Sequence, residues 1–362
     1  MRTTIKDVAK RAGVSTATVS LALNDPKFSI SKQTRDLVIR VAEELNYRPN
    51  QVAVSLVKKR TNIIGLIFPD NVNTFYTSFS HQFEEAALKY GYSIIVGTAN
   101  DNVERVIHYL HNFVDHGVDG IILTQSIFRD EKDTQRCLEA IAGIAVPIIL
   151  TNRVPKTSPE DMVLINNSLG GYIAMKHLID LGHRRIGIIS GSMFFNNSMD
   201  RLAGCKKALE EAGIPFDDTL VYKGDNKVED GMNALPYMLD RNVTAIFAFN
   251  DMMAYGIYKE SQKYHYHLTI PRDLSVVGFD GVFFSDIVSP PLTTIEYPIK
   301  SIATAAIDRL VQRINGMERD SAQVTLFDPM LKINSSTRRI QTQENTAIDA
   351  RNESRAPSPL RN

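Results

Sequence analysis

Between Asn62 and Phe279 the chain repeats one unit, a short unbroken apolar run followed by an amphipathic stretch. The runs are NIIGLIF, SIIVG, GIILT, PIILTN, VLIN, RIGIIS, AIFAF and SVVGF. Apolar runs that lack polar alternation suit strands buried on both faces, which in α/β proteins are parallel strands covered by helices. Parallel neighbours need a crossover, and segments with helical periodicity beginning at Phe75 and Val103 provide one. The expectation is therefore an α/β body of two parallel sheets with helices on their faces, sharing a cleft. Ligands of such sheets collect at the carboxyl ends of the strands, here Asp70 and Phe75, Asn152, Asn250 and Asp251, and Asp280. At 362 residues the chain is long enough for two or three domains of roughly 150 residues each.

Several function classes fall away. No apolar run approaches the roughly 20 residues that a bilayer span needs. The opening MRTTIKDVAKRAGVS has no apolar stretch before a small-residue cleavage site, so a cytoplasmic, nucleoid-associated protein is expected. Cys137 and Cys205 form no CxxC, and His265 and His267 form a lone HxH with no third ligand nearby, so neither a metal site nor a cofactor is expected. The chain carries no GxGxxG after a strand, no GxxxxGK[ST], no GxSxG and no HExxH, which argues against an enzyme.

The formal net charge of zero conceals an asymmetry: residues 1–60 carry +7 and the remainder carries −7. A basic module on an acidic body suits a small nucleic-acid-binding domain, although a solvated basic face has the same arithmetic. Thr4 can cap a first helix, with Asp7 completing a capping box, Ile5, Val8, Ala9 and Ala12 at helical spacing and Gly13 as the stop. Ser15 can cap a second, with Val19, Ala22 and Leu23 facing the core and Thr16, Ala17, Ser20, Leu21 and Asn24 on the opposite arc. A third begins near Ser31 and carries Leu37, Val41 and Leu45 at fourfold spacing. Two helices about a tight glycine turn also occur in enzymes and bundles, so the pattern by itself leaves DNA binding open.

The wording of the motifs is more specific. TIKDVAKRAGVSTATVSLALND resembles the helix-turn-helix of the LacI/GalR family of transcriptional repressors, and NYRPNQVAVSL is similar to that family's hinge segment. VDGIIL, LGHRRIGIISG, RLAG, AIFAFND, SVVGFD and SPPLTTI follow in family order to about Ser336. The resemblance implies an N-terminal all-α helix-turn-helix domain over residues 1–47, a hinge helix and linker over 48–60, and a bilobed, periplasmic-binding-protein-like body over 61–340. It places an N-lobe at about 61–165 and 295–323, a C-lobe at about 166–294 and 324–340, and crossovers near Ile165, Thr294 and Val324. The polar residues 341–362 lack a leucine heptad and are expected to be disordered, giving a homodimer without a tetramerising tail.

The resemblance also implies residue roles. The helix from Ser15 to Asn24 would enter the major groove, with Thr16, Ala17 and Leu21 at reading positions and Ser15, Thr18 and Ser20 near phosphates. Thr4, Asn24, Asn50 and Ala53 complete the DNA-binding set, and Leu56 would wedge into the minor groove. Leu21 departs from the Arg or His of many relatives and Val54 from a basic residue. Arg201, Asn250 and Asp280 match effector-binding positions, while Phe75, Tyr76, Asn152 and Asn166 match cleft positions used less uniformly. Asp251 reads as a helix cap. Asn226 replaces a frequent aromatic, for which Phe194, Phe195 or Phe284 are candidate substitutes, and Gly281 replaces a common Asp. The implied function is a dimeric repressor of carbohydrate-utilisation genes, reading a palindromic double-stranded operator under allosteric control by a small molecule, most naturally a sugar. The competing reading is a solute receptor or sugar-processing enzyme with an unrelated N-terminal module.

Overall fold

A computed structural model describes residues 3–24, 30–48, 60–263, 266, 268–317 and 321–340. The expected hinge helix with Asn50, Ala53 and Leu56, the HxH pair and the tail 341–362 lie outside these residues. The chain divides into two compact units near Asn62.

In the first unit, α1 (Ile5–Ala12), α2 (Thr16–Asn24) and α3 (Lys32–Glu44) enclose one small core. The Thr4 N–H and hydroxyl reach Asp7 Oδ2 at 2.9 and 2.7 Å, and these bonds hold the Asp7 carboxyl below its usual range. Gly13 closes α1 at φ 66°, a left-handed conformation that glycine adopts without a steric penalty. Ser15 Oγ accepts the Thr18 N–H at 3.0 Å and so caps α2. Arg35 of α3 donates to the Ala22 carbonyl at 2.8 Å, satisfying an acceptor in the last turn of α2. Val8, Ala9 and Ala12 meet Val19 and Ala22, as the spacing predicts, but α3 is turned from its expected face. Val38, Val41 and Ala42 are buried, with Leu45 half-buried against them, whereas Leu37 is exposed.

The second unit holds two six-stranded sheets. The first lobe runs β1 (Ile63–Phe68), α4 (Thr74–Leu88), β2 (Ser93–Thr98), α5 (Val103–Asp115), β3 (Gly120–Gln125), α6 (Glu131–Ala142), β4 (Ile148–Arg153) and β5 (Asp161–Ile165). The chain crosses into the second lobe at Asn166. That lobe contains α7 (Asn167–Asp180), β6 (Ile186–Ser190), α8 (Asn196–Glu211), β7 (Val221–Lys223), α9 (Val228–Leu239), β8 (Ala245–Ala248), α10 (Asp251–Ser261), β9 (Ser275–Asp280), α11 (Phe284–Ile287) and β10 (Thr293–Glu296). It returns to the first lobe through α12 (Ile299–Ile314) and β11 (Val324–Phe327), then ends in the second with β12 (Met330–Lys332). The sheet orders are β11-β5-β4-β3-β1-β2 and β12-β10-β9-β8-β6-β7, parallel throughout except for β12, which is antiparallel to β10.

Two crossings differ from expectation. The second follows Glu296 rather than falling near Thr294, because β10 pairs with β9 up to Glu296↔Asp280. The third lies between β11 and β12 rather than near Val324, because Val324–Phe327 pairs with Met162–Ile165 of the first sheet. Buried Asp161 fixes that choice: it accepts the Gln323 N–H at 2.7 Å and two bonds from Arg313 of α12, at 2.8 and 3.0 Å. These bonds hold the Asp161 carboxyl below its usual range against the opposing effect of burial.

Candidate functional site

Two glycines set how closely the first helices of the second lobe approach. A Cβ on Gly171 of α7 would stand 2.0 Å from the Arg201 carbonyl oxygen, and one on Gly204 of α8 would stand 1.9 Å from that of Ser168. With hydrogens in their place the two helices nearly touch, and Arg201 reaches across so that its Nε donates to Asn167 Oδ1 at 2.9 Å. Its Nη1 donates to the Phe249 carbonyl, and the guanidinium lies 3.5 Å from the centroid of the Phe279 ring. Burial pulls the Arg201 pKa down, and Asp280 is the first group that opposes this.

Strand ends supply the rest of the cleft. β3 and β4 shift register between Leu123↔Leu150 and Gln125↔Arg153, leaving one extra residue in β4, and Asn152 there has φ 66°. Such a bulge re-aims side chains. Asn152 Nδ2 donates to the buried Tyr76 hydroxyl at 3.1 Å, and burial raises Tyr76 to about 12. Asn226 and Asp280 also have positive φ, at 67° and 130°; the strain at these non-glycine positions lies on the cleft lining, where backbone outliers often mark function.

Asp251 does not cap α10 as expected. Asn250 does, with its Oδ1 accepting the Met253 N–H at 2.8 Å while its Nδ2 donates to the Asn226 carbonyl at 2.9 Å. The Asp251 carboxylate is a buried brace, accepting from the backbone of Gly281 and Val282, from Ser285 Oγ and from Thr294 Oγ1 at 2.6–3.2 Å. Burial pushes it up to about 6 while those donors pull it down. Asp280 is buried beside it, and burial followed by the charge of Asp251 lifts its carboxyl well above the usual range. Four donors make Asp251 the better home for the negative charge, so Asp280 is the member that holds a proton.

Of the seven expected cleft residues, Phe75, Tyr76, Asn152, Arg201, Asn250 and Asp280 line one cavity between the lobes. Asn166 does not: it caps α7 through Leu169 N–H and bonds Asp328, at the first and third crossings. Asp70 turns back to the Val72 N–H. Sequence reading missed Asn73, Arg153, Asn197 and Tyr297 on the lining, of which only Arg153, the residue after Asn152 at a strand end, left a signal. Among the candidate aromatics, Phe195 lies under the Arg153 guanidinium at 4.2 Å, while Phe194 and Phe284 are exposed. The cavity is only about 40 Å³, room for a water or two, so a sugar-sized ligand enters only when the lobes part or side chains move. Arg129 with Asp225, Asn197 with Asn152 and Thr74 with Met252 join the lobes around it.

In the first unit, Thr16 and Ala17 are exposed at the start of α2, and Ser20 and Leu21 are half-buried. The hydroxyls of Ser15 and Thr18 lie 2.9 Å apart, and that of Thr4 is held by Asp7. Asn24 ends the helix.

A helix-turn-helix unit followed by a two-lobed body of parallel sheets defines a DNA-binding transcription regulator with a periplasmic-binding-protein-like domain. Residues 4–50 match the bacterial regulatory proteins of the lacI family, and residues 175–337 match the periplasmic binding protein-like domain. Over 343 residues the chain is 36% identical to the HTH-type transcriptional regulator DegA of Bacillus subtilis (strain 168), covering 94% of this chain and 100% of that protein. It is 34% identical to the HTH-type transcriptional repressor PurR of Pasteurella multocida (strain Pm70), covering 92% and 98%. The lac repressor dimer bound to operator and the anti-inducer ONPF superposes with a TM-score of 0.81 at 28% identity, covering 93% of this chain and 100% of that one. The complex of the transcriptional regulator CelR with cellobiose gives 0.67 at 29% identity, covering 92% and 100%. The chain belongs to the LacI family of bacterial transcription regulators.

Proposed function

We propose that this regulator is a repressor of carbohydrate-utilisation genes which binds a palindromic operator as a homodimer and releases or grips it according to a polyhydroxylated effector in the interlobe cleft. The observation that carries the reading is the lining of that cleft. Arg201, Asp280, Asn250 and Asn152 set forked donors and paired acceptors beside aromatic Phe75 and Tyr76, the chemistry that neighbouring ring hydroxyls need. The CelR–cellobiose complex is a relative of the same fold with a sugar bound. On the DNA side, α2 offers Thr16, Ala17 and Leu21 to base edges and Ser15, Thr18 and Ser20 to phosphates, with Thr4 and Asn24 at the margins and Asn50, Ala53 and Leu56 in the hinge. A two-fold operator calls for a two-fold protein, and exposed Leu88, Val96, Phe283 and Ile287 offer apolar surface for a second copy.

Selection of binding sites from random duplex DNA with the purified full chain tests this. The expected outcome is an enriched palindrome whose affinity falls steeply with salt and changes with one member of a sugar panel, while a fragment lacking residues 1–60 binds none of the selected DNA. Enrichment of no motif, with or without sugars, would overturn the reading.

A further inference from the structure

The residues that line the cleft include two with a buried hydrogen-bond donor that no described residue pairs with. Among the described residues the Arg153 Nε–H and the Tyr297 hydroxyl have no partner, although both side chains line the cavity and are more than nine-tenths buried. Unpaired buried donors are uncommon in folded proteins, and one on a side chain that lines a binding cavity is available to a ligand once the cavity opens. Arg153 is held otherwise by two contacts, the Phe195 ring beneath its guanidinium and Asp101 Oδ1, which accepts from Nη1 at 2.5 Å. Asp101 is itself half-exposed on the loop after β2, has φ 53° and shares that same oxygen with Gln125 Nε2 at 2.9 Å. The arginine is thus a desolvated cation whose counter-ion is half-exposed, while its Nε–H has no partner among the described residues.

The second guanidinium adds to this imbalance. Arg201 is buried, and among the described residues no carboxylate oxygen lies within 4.0 Å of its nitrogens. The one acid among the described lining residues, Asp280, has a carboxyl that burial and the charge of Asp251 lift well above the usual range. The lining therefore carries more positive than negative charge, an arrangement that a neutral polyol does nothing to offset.

We propose that the effector is an acidic carbohydrate whose carboxylate or phosphate is bound by Arg153, with Tyr297 as a second donor. This rests on the effector reading above and narrows it. A planar guanidinium offers Nε–H and an Nη–H in one fork, which matches two oxygens of either anion, and a charge-assisted pair in a dry site is stronger than a neutral one. The hydroxyls of the same molecule would remain for Asn152, Asn250 and Asp280.

Titration calorimetry of the full chain with matched sets tests the proposal: glucose, gluconate, glucuronate and glucose 6-phosphate, then the galactose and ribose counterparts. One acid should bind at least about tenfold tighter than its neutral twin, the worth of a single charge-assisted hydrogen bond. Whether the sugar acid or the phosphate ester wins identifies the anion. Arg153→Gln should bring the acid to within about threefold of its neutral twin, and Arg153→Lys should fall between, because a point charge replaces the fork. Should Arg153→Gln fail to fold, Asp101→Asn gives an independent reading: freeing Arg153 from its rim partner should tighten the acid about threefold or more and leave the neutral sugar unchanged. Neutral sugars binding as tightly as acids, Arg153→Gln weakening both alike, or Asp101→Asn having no selective effect would overturn this inference while the effector reading stands. Binding of no sugar in the panel would overturn both.

Discussion

Asp280 is where local chemistry has the sharpest consequence. Its carboxyl is raised by burial and by the anionic Asp251 beside it, so between about pH 4 and its raised folded value the native state keeps a proton that the unfolded chain has released. The stability tied to that proton is complete below about pH 4 and is lost as the pH rises. Asp280→Asn mimics the protonated acid and tolerates positive φ as well as Asp does. Thermal unfolding should therefore place the variant at or below the parent at pH 4 and above it at pH 7, by roughly 2–4 °C for each kcal/mol recovered. A gap that stays constant between these pH values would refute the assignment. Residue chemistry was legible where it sits in a distinctive phrase: Arg201 in RLAG, Asn250 in FND and Asp280 in GFD all reach the cleft. Tyr297 was not, because it lies on a short link after β10 that leaves no periodic trace, and Arg153, marked only by following Asn152 at a strand end, owes its place on the lining to a β-bulge. Asp251 was misread because its partners at positions 281, 282, 285 and 294 are distant in sequence, and only the fold brings them to one carboxylate.

Among the elements, the close pair α7 and α8 carries the cleft's principal cation. The atoms that a Cβ on Gly204 would meet belong to the backbone of Ser168 and Tyr172, so no side chain can swing away to admit it. Gly204→Ala must push the helices apart, at a cost of about 1–3 kcal/mol for an overpacked core, and the shift draws Arg201 from Asn167. The expected result is a lower unfolding temperature for the body together with weaker effector binding. An unchanged unfolding temperature would show that the interface yields without cost. The βαβ alternation was legible because unbroken apolar runs have few other uses, and each quoted run from NIIGLIF to SVVGF overlaps a strand. The face of α3 was not, because apolar residues at 37, 38, 41, 42 and 45 offer two overlapping stripes. A fourfold count selects the stripe through Leu37, while packing against α1 and α2 selects the one through Val38 and Ala42. The antiparallel β12 escaped for a similar reason, since three residues at a sheet edge carry too little pattern to show direction.

At the scale of the molecule, the proposed function requires that a cavity of about 40 Å³ and a basic N-terminal unit answer to the same ligand. A ligand shifts an equilibrium only by as much as it prefers one state over the other. On that proposal the states differ in how far the lobes part, and among the described residues the contacts that bridge the lobes around the cavity include an exposed ion pair between Arg129 and Asp225, one amide pair, one sulfur contact and the Arg153 guanidinium over the Phe195 ring. The exposed ion pair contributes about 1 kcal/mol or less, so it sets only a small part of the cost of parting the lobes. The coupling free energy is then expected in the usual range of about 1–3 kcal/mol, a 5- to 150-fold change in operator affinity. Linkage makes it reciprocal. Effector affinity measured by calorimetry with and without saturating operator duplex should change by the same factor, and in the same direction, as operator affinity measured with and without saturating effector. Because the first 60 residues carry +7 and the rest −7, both measurements belong at one fixed salt concentration; otherwise counterion release alters one leg of the cycle alone. A factor of one in both measurements would mean that the cleft and the DNA-binding unit are uncoupled and would overturn the allosteric reading, whereas unequal factors would show only that one leg of the cycle was not at equilibrium or saturation.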